Sequence, residues 1–151
     1  MACECGIISI SDNAKVINRF VCHCLFCQEY TNDSFNDESF FRKRDIIINK
    51  PELIEFTKNY SKLSPLSRGT CKTCKSPVIS IAKIPLFSLI LIPSETSIIK
   101  SLLPPVCAHV FYHRRKTDLN DSIPKYSGFW NSQLMTQWFL LKSFIKKLTN
   151  V

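Results

Sequence analysis

The sequence predicts a mainly β fold of antiparallel sheets with one α-helix at its C-terminal end. Three observations carry this. Short β-branched or aromatic runs recur between residues 7 and 112, polar or Pro-containing segments separate most of them, and the last twenty residues change to a helical apolar period. In chain order the expected strands are IISI (7–10), KVINRFV (15–21), DIIIN (45–49), PVISIAKI (77–84), LFSLILI (86–92), TSIIK (96–100) and VCAHVFY (106–112). Elements this short and evenly spaced favour antiparallel pairing over alternating strand–helix–strand units.

The helix is expected over NSQLMTQWFLLKSFIKKLTN (131–150), with Asn131 or Ser132 as N-cap. Leu134, Trp138, Leu141, Ile145 and Leu148 are spaced 4, 3, 4 and 3, which puts them on one face. That face is expected to pack on the sheet. A dimer seam or a membrane-surface helix is the other use of such a stripe. Lys142, Lys146 and Lys147 fall near the C-terminal end, where they suit the helix dipole.

At 151 residues the chain is one domain's worth of sequence, with ordinary apolar and charged content, which excludes a disordered chain. The opening MACECG shows neither a basic nor an apolar signal region. The most apolar stretch, 78–92, contains Lys83 and Pro85 and is too short to span a bilayer. A soluble cytoplasmic protein is therefore expected, with its oligomeric state left open.

Eight cysteines stand at 3, 5, 22, 24, 27, 71, 74 and 107, seven of them in tight groups. In the cytoplasm such groups are metal ligands more often than disulfides. A Cys-x-x-Cys turn brings two sulfurs onto one tetrahedral ion, and Cys-x-Cys can do so on a bent loop. Four thiolates saturate a structural Zn²⁺, whereas three keep one position for water or substrate. Seven clustered cysteines divide into four plus three, but spacing leaves open which groups combine. A redox role for CKTC (71–74) would need a thioredoxin-like setting that the strand pattern lacks. The formal net charge of +8 falls to about +5 if seven thiolates hold two zinc ions, which still favours anionic partners.

In order, Cys-x-Cys-Gly (3–6), Cys-His-Cys-x-x-Cys (22–27) and Cys-x-x-Cys (71–74) resemble the glutathione-dependent formaldehyde-activating enzyme family, which includes centromere protein V. HVFYHRRKTDLNDSIPKY (109–126) resembles that family's strand histidine followed by Asp-Gly-Leu-Pro and an aromatic. The resemblance spans roughly residues 2–127 and implies a zinc-binding β-tent domain over 1–130, with 131–151 as an amphipathic helix packed on it or extending it. It implies two zinc sites: a structural one on Cys3, Cys5, Cys71 and Cys74, and a second, catalytic one on Cys22, Cys24 and Cys27, fully or partly occupied. The implied activity is that of a carbon–sulfur lyase forming S-(hydroxymethyl)glutathione. Its substrates would be glutathione, or another small thiol, and formaldehyde or a related aldehyde.

The other histidines and basic residues are read beside this. His23 lies between two ligands and in an extended segment would point away from their sulfurs, as a donor behind the site or a packing residue, with a ligand or base as the alternative. Cys107 and His109 share one face of an expected strand, as its interior or as a fourth ligand or base for the second zinc. His113, Arg114, Arg115 and Lys116 read as a solvated face, or as an anion contact for glutathione carboxylates or nucleic acid phosphate. The alternatives to a lyase are a non-catalytic zinc module that contacts a protein or nucleic acid, and a thiol redox sensor built on Cys22, Cys24 and Cys27.

The chain departs from the family pattern at several positions. With two residues ahead of Cys3, the strand that usually precedes the first motif is expected to be missing. Lys75 stands where a glycine usually completes the last cysteine turn, a place that favours positive φ. Asn32 replaces another glycine and is the best alternative for a left-handed residue. Gln28 replaces an arginine after the middle motif, and Asp121-Ser122-Ile123-Pro124 replaces Asp-Gly-Leu-Pro.

Overall fold

The computed structural model describes residues 3–57, 66–84 and 87–148, with the side chains of 84, 87 and 146–148 left aside. It divides into two compact units, residues 1–16 with 38–103, and residues 17–37 with 104–151.

In the first unit β1 (Ile8–Ile10) pairs antiparallel with β4 (Ile46–Ile48), Ile8 opposite Ile48. Its larger sheet runs β5 (Ile54–Thr57), β6 (Leu66–Cys71), β7 (Pro77–Ile84), β8 (Phe87–Pro93) and then β3 (Asn36–Arg42), every neighbour antiparallel. The β-branched alternation does what it should here. Phe41, Ile79, Ile92 and Ile99 are fully buried, and Ile54, Val78, Ile90 and Cys71 are among the residues that cluster with them. Cys3 and Cys5 pack against this core.

One sequence expectation fails in this unit, and three of its strands were not expected. Residues 96–100 form part of a 3-10 helix, Ser97–Leu102, and not a strand. Thr96 N–H donates to Pro93 O and Ile99 N–H to Thr96 O, both at 3.1 Å, so the chain curls after β8 and buries Ile99. Strands β3, β5 and β6 were invisible in sequence, because NDESFFR, IEFT and LSRGTC are polar or glycine-broken and extend only through their sheet neighbours.

The second unit holds β2 (Asn18–Cys22), α1 (Leu25–Thr31), β9 (Ala108–Val110) and α2 (Phe129–Leu148). The expected 15–21 and 106–112 strands are shorter than their apolar runs. The second stops where Phe111 takes a left-handed φ of 56° and a 3-10 turn, Tyr112–Arg114, follows. β2 and β9 pair in parallel, Phe20 opposite Ala108 and Cys22 opposite Val110, which adds one parallel pair to the antiparallel pairing expected from the sequence. A parallel pair needs a long crossover, so nothing local in sequence announces it.

The C-terminal helix is present, but a different face of it is buried. It begins after Gly128, at φ 84°, two residues before the expected caps. Ser132 is instead an anchor: Phe111 N–H donates to its Oγ at 2.8 Å, and its hydroxyl donates to Tyr126 O at 3.2 Å. That turns Ser132 and Leu140 inward and sets Phe139 edge-on to Phe20, ring centroids 5.8 Å apart. Leu134, Trp138, Leu141 and Ile145, the stripe expected to pack, are exposed, and the Leu148 side chain lies outside the described residues.

Candidate metal centres

All eight cysteines are free thiols. Four of them, Cys3, Cys5, Cys71 and Cys74, bring their sulfurs within 4.8 Å of one another inside the first unit. Cys71 closes β6, and a tight turn returns Cys74 to it: Cys74 N–H points at Cys71 Sγ (3.4 Å) and Lys75 N–H donates to Cys71 O (2.9 Å). Lys75 completes the turn at φ 59°, the positive value that a glycine would take without cost. Burial pushes the Cys71 thiol up, but the backbone N–H groups of Cys74 and Thr73 outweigh it and bring its pKa to about 6. Cys3 goes the other way, to about 12, chiefly through burial. A tetrahedron of zinc–sulfur bonds has edges of about 3.8 Å, so four sulfurs at this spacing fit one ion.

The second cluster lies inside the second unit. Cys22 ends β2, Cys24 is the N-cap of α1 and Cys27 is buried in that helix's first turn, their sulfurs again within 4.8 Å. Cys27 N–H points at Cys24 Sγ at 3.4 Å, the same contact as in the Cys71–Cys74 turn. Hydrogen bonding to the Cys24 and Cys27 thiols, followed by burial, holds the Cys22 thiol well above its ordinary pKa. Thiols packed this closely ionise together only around a cation, so the donor set fits a metal. At the far end of α1, Asn32 takes the left-handed conformation expected of it, φ 53°.

No fourth ligand joins these three among the described residues. Cys107, outside the cluster, accepts from Asn18 Nδ2 at 3.5 Å. His23 and His109 are buried together, 1% and 2% exposed, with His23 Nε2 3.0 Å from His109 Nδ1. His109 Nε2 in turn lies 3.0 Å from Asp121 Oδ2, and Lys125 Nζ donates to Asp121 Oδ1 at 2.6 Å. Backbone pairing brings Asp121 there: His109 N–H donates to Pro124 O (2.8 Å) and Tyr126 N–H to His109 O (2.9 Å). Burial, then the charges of His109 and Arg115, lower the His23 pKa to about 4, so the ring is neutral at neutral pH.

Sequence reasoning missed the work of Gln28, read as a departure from the family pattern, and of Asp121, read only as the first residue of the segment that resembles Asp-Gly-Leu-Pro. Gln28 is buried, and its amide donates to His23 O (2.7 Å) and Arg114 O (2.8 Å), clamping the ligand segment. Much of the expected basic face is engaged at home. His113 Nδ1 accepts from Gly128 N–H at 2.8 Å, Arg115 pairs with Asp118 and stacks over Tyr112 at 4.6 Å, and Lys116 donates to Asp33 O.

A family model described as glutathione-dependent formaldehyde-activating enzyme matches residues 1–114. No curated protein matches the chain. A solved structure of a Rhodobacter sphaeroides protein is similar at 15% identity and a TM-score of 0.44, over 82% of this chain and 96% of that one. No helix among the described residues is long and apolar enough to cross a membrane.

Proposed function

The chain belongs to the glutathione-dependent formaldehyde-activating enzyme family, and from that premise we propose that it is a zinc-dependent carbon–sulfur lyase acting on glutathione, or a related thiol, and formaldehyde or a related aldehyde. One observation carries this reading: three sulfurs converge at Cys22, Cys24 and Cys27 with no fourth protein ligand among the described residues, while Cys3, Cys5, Cys71 and Cys74 make a complete set elsewhere. The four-sulfur set would hold a structural zinc and the three-sulfur set the reactive one. An ion held by three thiolates supplies, when bound, Lewis acidity toward a thiol sulfur or an aldehyde oxygen.

The protein's own residues supply placement. β2 and the first turn of α1 fix the three cysteines on a short, rigid segment, and Gln28 ties that segment to the carbonyl of Arg114. Leu25 and Phe26, between Cys24 and Cys27 in the chain, are exposed apolar side chains on α1. Addition of a thiol to an aldehyde needs little beyond such positioning and an ionised sulfur.

The test is the rate of S-(hydroxymethyl)glutathione formation, read by exchange NMR on zinc-loaded protein. A rate above buffer that disappears in Cys27→Ser is expected. No acceleration, with two zinc ions per chain confirmed, would refute the lyase reading.

A further inference from the structure

His23 and His109 share one proton between two nitrogens, and their surroundings decide its direction. The ionised carboxylate of Asp121 only accepts, so His109 Nε2, 3.0 Å from Oδ2, carries a hydrogen. Lys125 Nζ, 2.6 Å from the other carboxylate oxygen, holds that charge in place. His23 Nε2 and His109 Nδ1, 3.0 Å apart, hold one hydrogen between them, and with that hydrogen on His23 Nε2 the His23 Nδ1 is left as a bare acceptor. That atom is buried and has no hydrogen-bond partner among the described residues, which is the outcome this direction requires. The reverse direction would bury a bare N–H there, a rarer defect than a bare acceptor.

The same residue is held at its backbone. His23 N–H donates to Val110 O at 3.0 Å and His23 O accepts from Gln28 Nε2 at 2.7 Å. Its ring meets Tyr112 edge-on, centroids 5.1 Å apart, with Phe35 at 5.6 Å. Cys22 and Cys24 are its immediate neighbours in the chain. Ring and backbone together make His23 the fixed point between two of the three sulfurs.

We propose that Asp121 and His109 are positioning residues for the Cys22–Cys24–Cys27 cluster: the directed chain Asp121–His109–His23 sets the tautomer and pose of the His23 ring, and through it the spacing of the two cysteines that flank it. This rests on the reading of that cluster as a metal site. Groups that orient a ligand segment from behind the metal are commonly worth about 10- to 100-fold in affinity. The link here passes through the backbone of His23, so the lower end, about tenfold, is expected.

The test compares the wild-type chain with Asp121→Asn, Asp121→Glu and Asp118→Asn. Asp118 lies in the same segment and pairs with Arg115, outside the chain of three. Long-range ¹H–¹⁵N NMR reads the histidine tautomers in metal-free and zinc-loaded protein. Cobalt(II) titration reads the affinity of the three-sulfur site, with the four-sulfur site as internal reference. The wild type should carry hydrogen on Nε2 of both rings. Asp121→Asn should mix the tautomers and weaken the three-sulfur site about tenfold while leaving the four-sulfur site unchanged. Asp121→Glu should recover part of both effects, and Asp118→Asn should change neither. Hydrogen on His23 Nδ1 in the wild type would overturn the proposal. So would an unchanged three-sulfur affinity in Asp121→Asn, or an equal loss at both sites. A protein that shows the expected shifts but no turnover would refute the lyase reading alone, whereas a cluster that binds no metal would refute both.

Discussion

Replacing Gly69 with alanine should destabilise the first unit, and the structure gives the size of the effect. Gly69 lies in β6 between Phe56 of β5 and Ile79 of β7, at a register shift. A Cβ there would sit 2.6 Å from Ile54 Cγ2, 3.0 Å from Phe56 Cε1 and 3.2 Å from Ile79 Cγ2. Ordinary carbon contacts are about 3.5–4.0 Å, so the first of these is about 1 Å too close. Phe56 is partly exposed and can swing aside, but Ile54 and Ile79 are buried in the core. Overpacking of this kind costs about 1–3 kcal/mol, offset by about 0.5–1 kcal/mol from the lower backbone entropy of alanine. The expected net loss is about 1–2 kcal/mol. Ile54 faces Cys71 across the ladder, so the strain falls beside the four-sulfur cluster. Denaturant unfolding of zinc-loaded protein at fixed free zinc reads the loss. Ile54→Leu removes the offending Cγ2, and in the double variant part of the loss, about 1 kcal/mol, should return. A Gly69→Ala protein within about 0.5 kcal/mol of wild type would show that the neighbours give way and that packing does not explain the glycine.

Three further outcomes follow from the same geometry. Cys27→Ser should lower the zinc content from two ions per chain to one, measured by elemental analysis, because the two clusters share no residue; loss of both ions would refute their independence. Lys75→Gly should raise stability by about 0.5–1 kcal/mol: it relieves a left-handed residue worth about 1–2 kcal/mol against a glycine entropy cost of about 0.5–1 kcal/mol. The exposed Lys75–Glu55 pair adds little to that balance, and a lower unfolding midpoint would contradict it. The chain's only two tryptophans, Trp130 and Trp138, are 74% and 48% exposed, so emission should be water-like and fully quenchable by acrylamide. A blue-shifted, shielded population would show that a partner covers this face of α2.

The strands legible in sequence were those whose signal is local. PVISIAKI reads as β7 over its full length, and the apolar runs around β1, β4 and β8 locate them to within a residue or two, because β-branched side chains favour extended backbone wherever they are placed. The left-handed turns at Asn32 and Lys75 were expected from the glycines that the resembling family carries at those positions, and Lys75 adopts a φ that its own side chain disfavours. Polar β3 and glycine-broken β6 were not expected, and α2 kept its period but not its buried face, which Ser132 decides through a contact with Phe111.

The sequence by itself determined that seven cysteines stand in metal-ligand spacing, because the reach of a Cys-x-x-Cys or Cys-x-Cys turn is a local property of the chain. Spacing left their partition open and only the family resemblance implied one; the tertiary structure makes it by carrying Cys71 and Cys74 at the end of β6 back to Cys3 and Cys5. It alone also decided that His23 meets His109, 86 residues away, and that His109 meets Asp121. Those contacts depend on a parallel β2–β9 pairing and on the backbone of Pro124 and Tyr126 beside His109. Such pairings are set by the free energy of the whole packed unit, and no short window of residues encodes them.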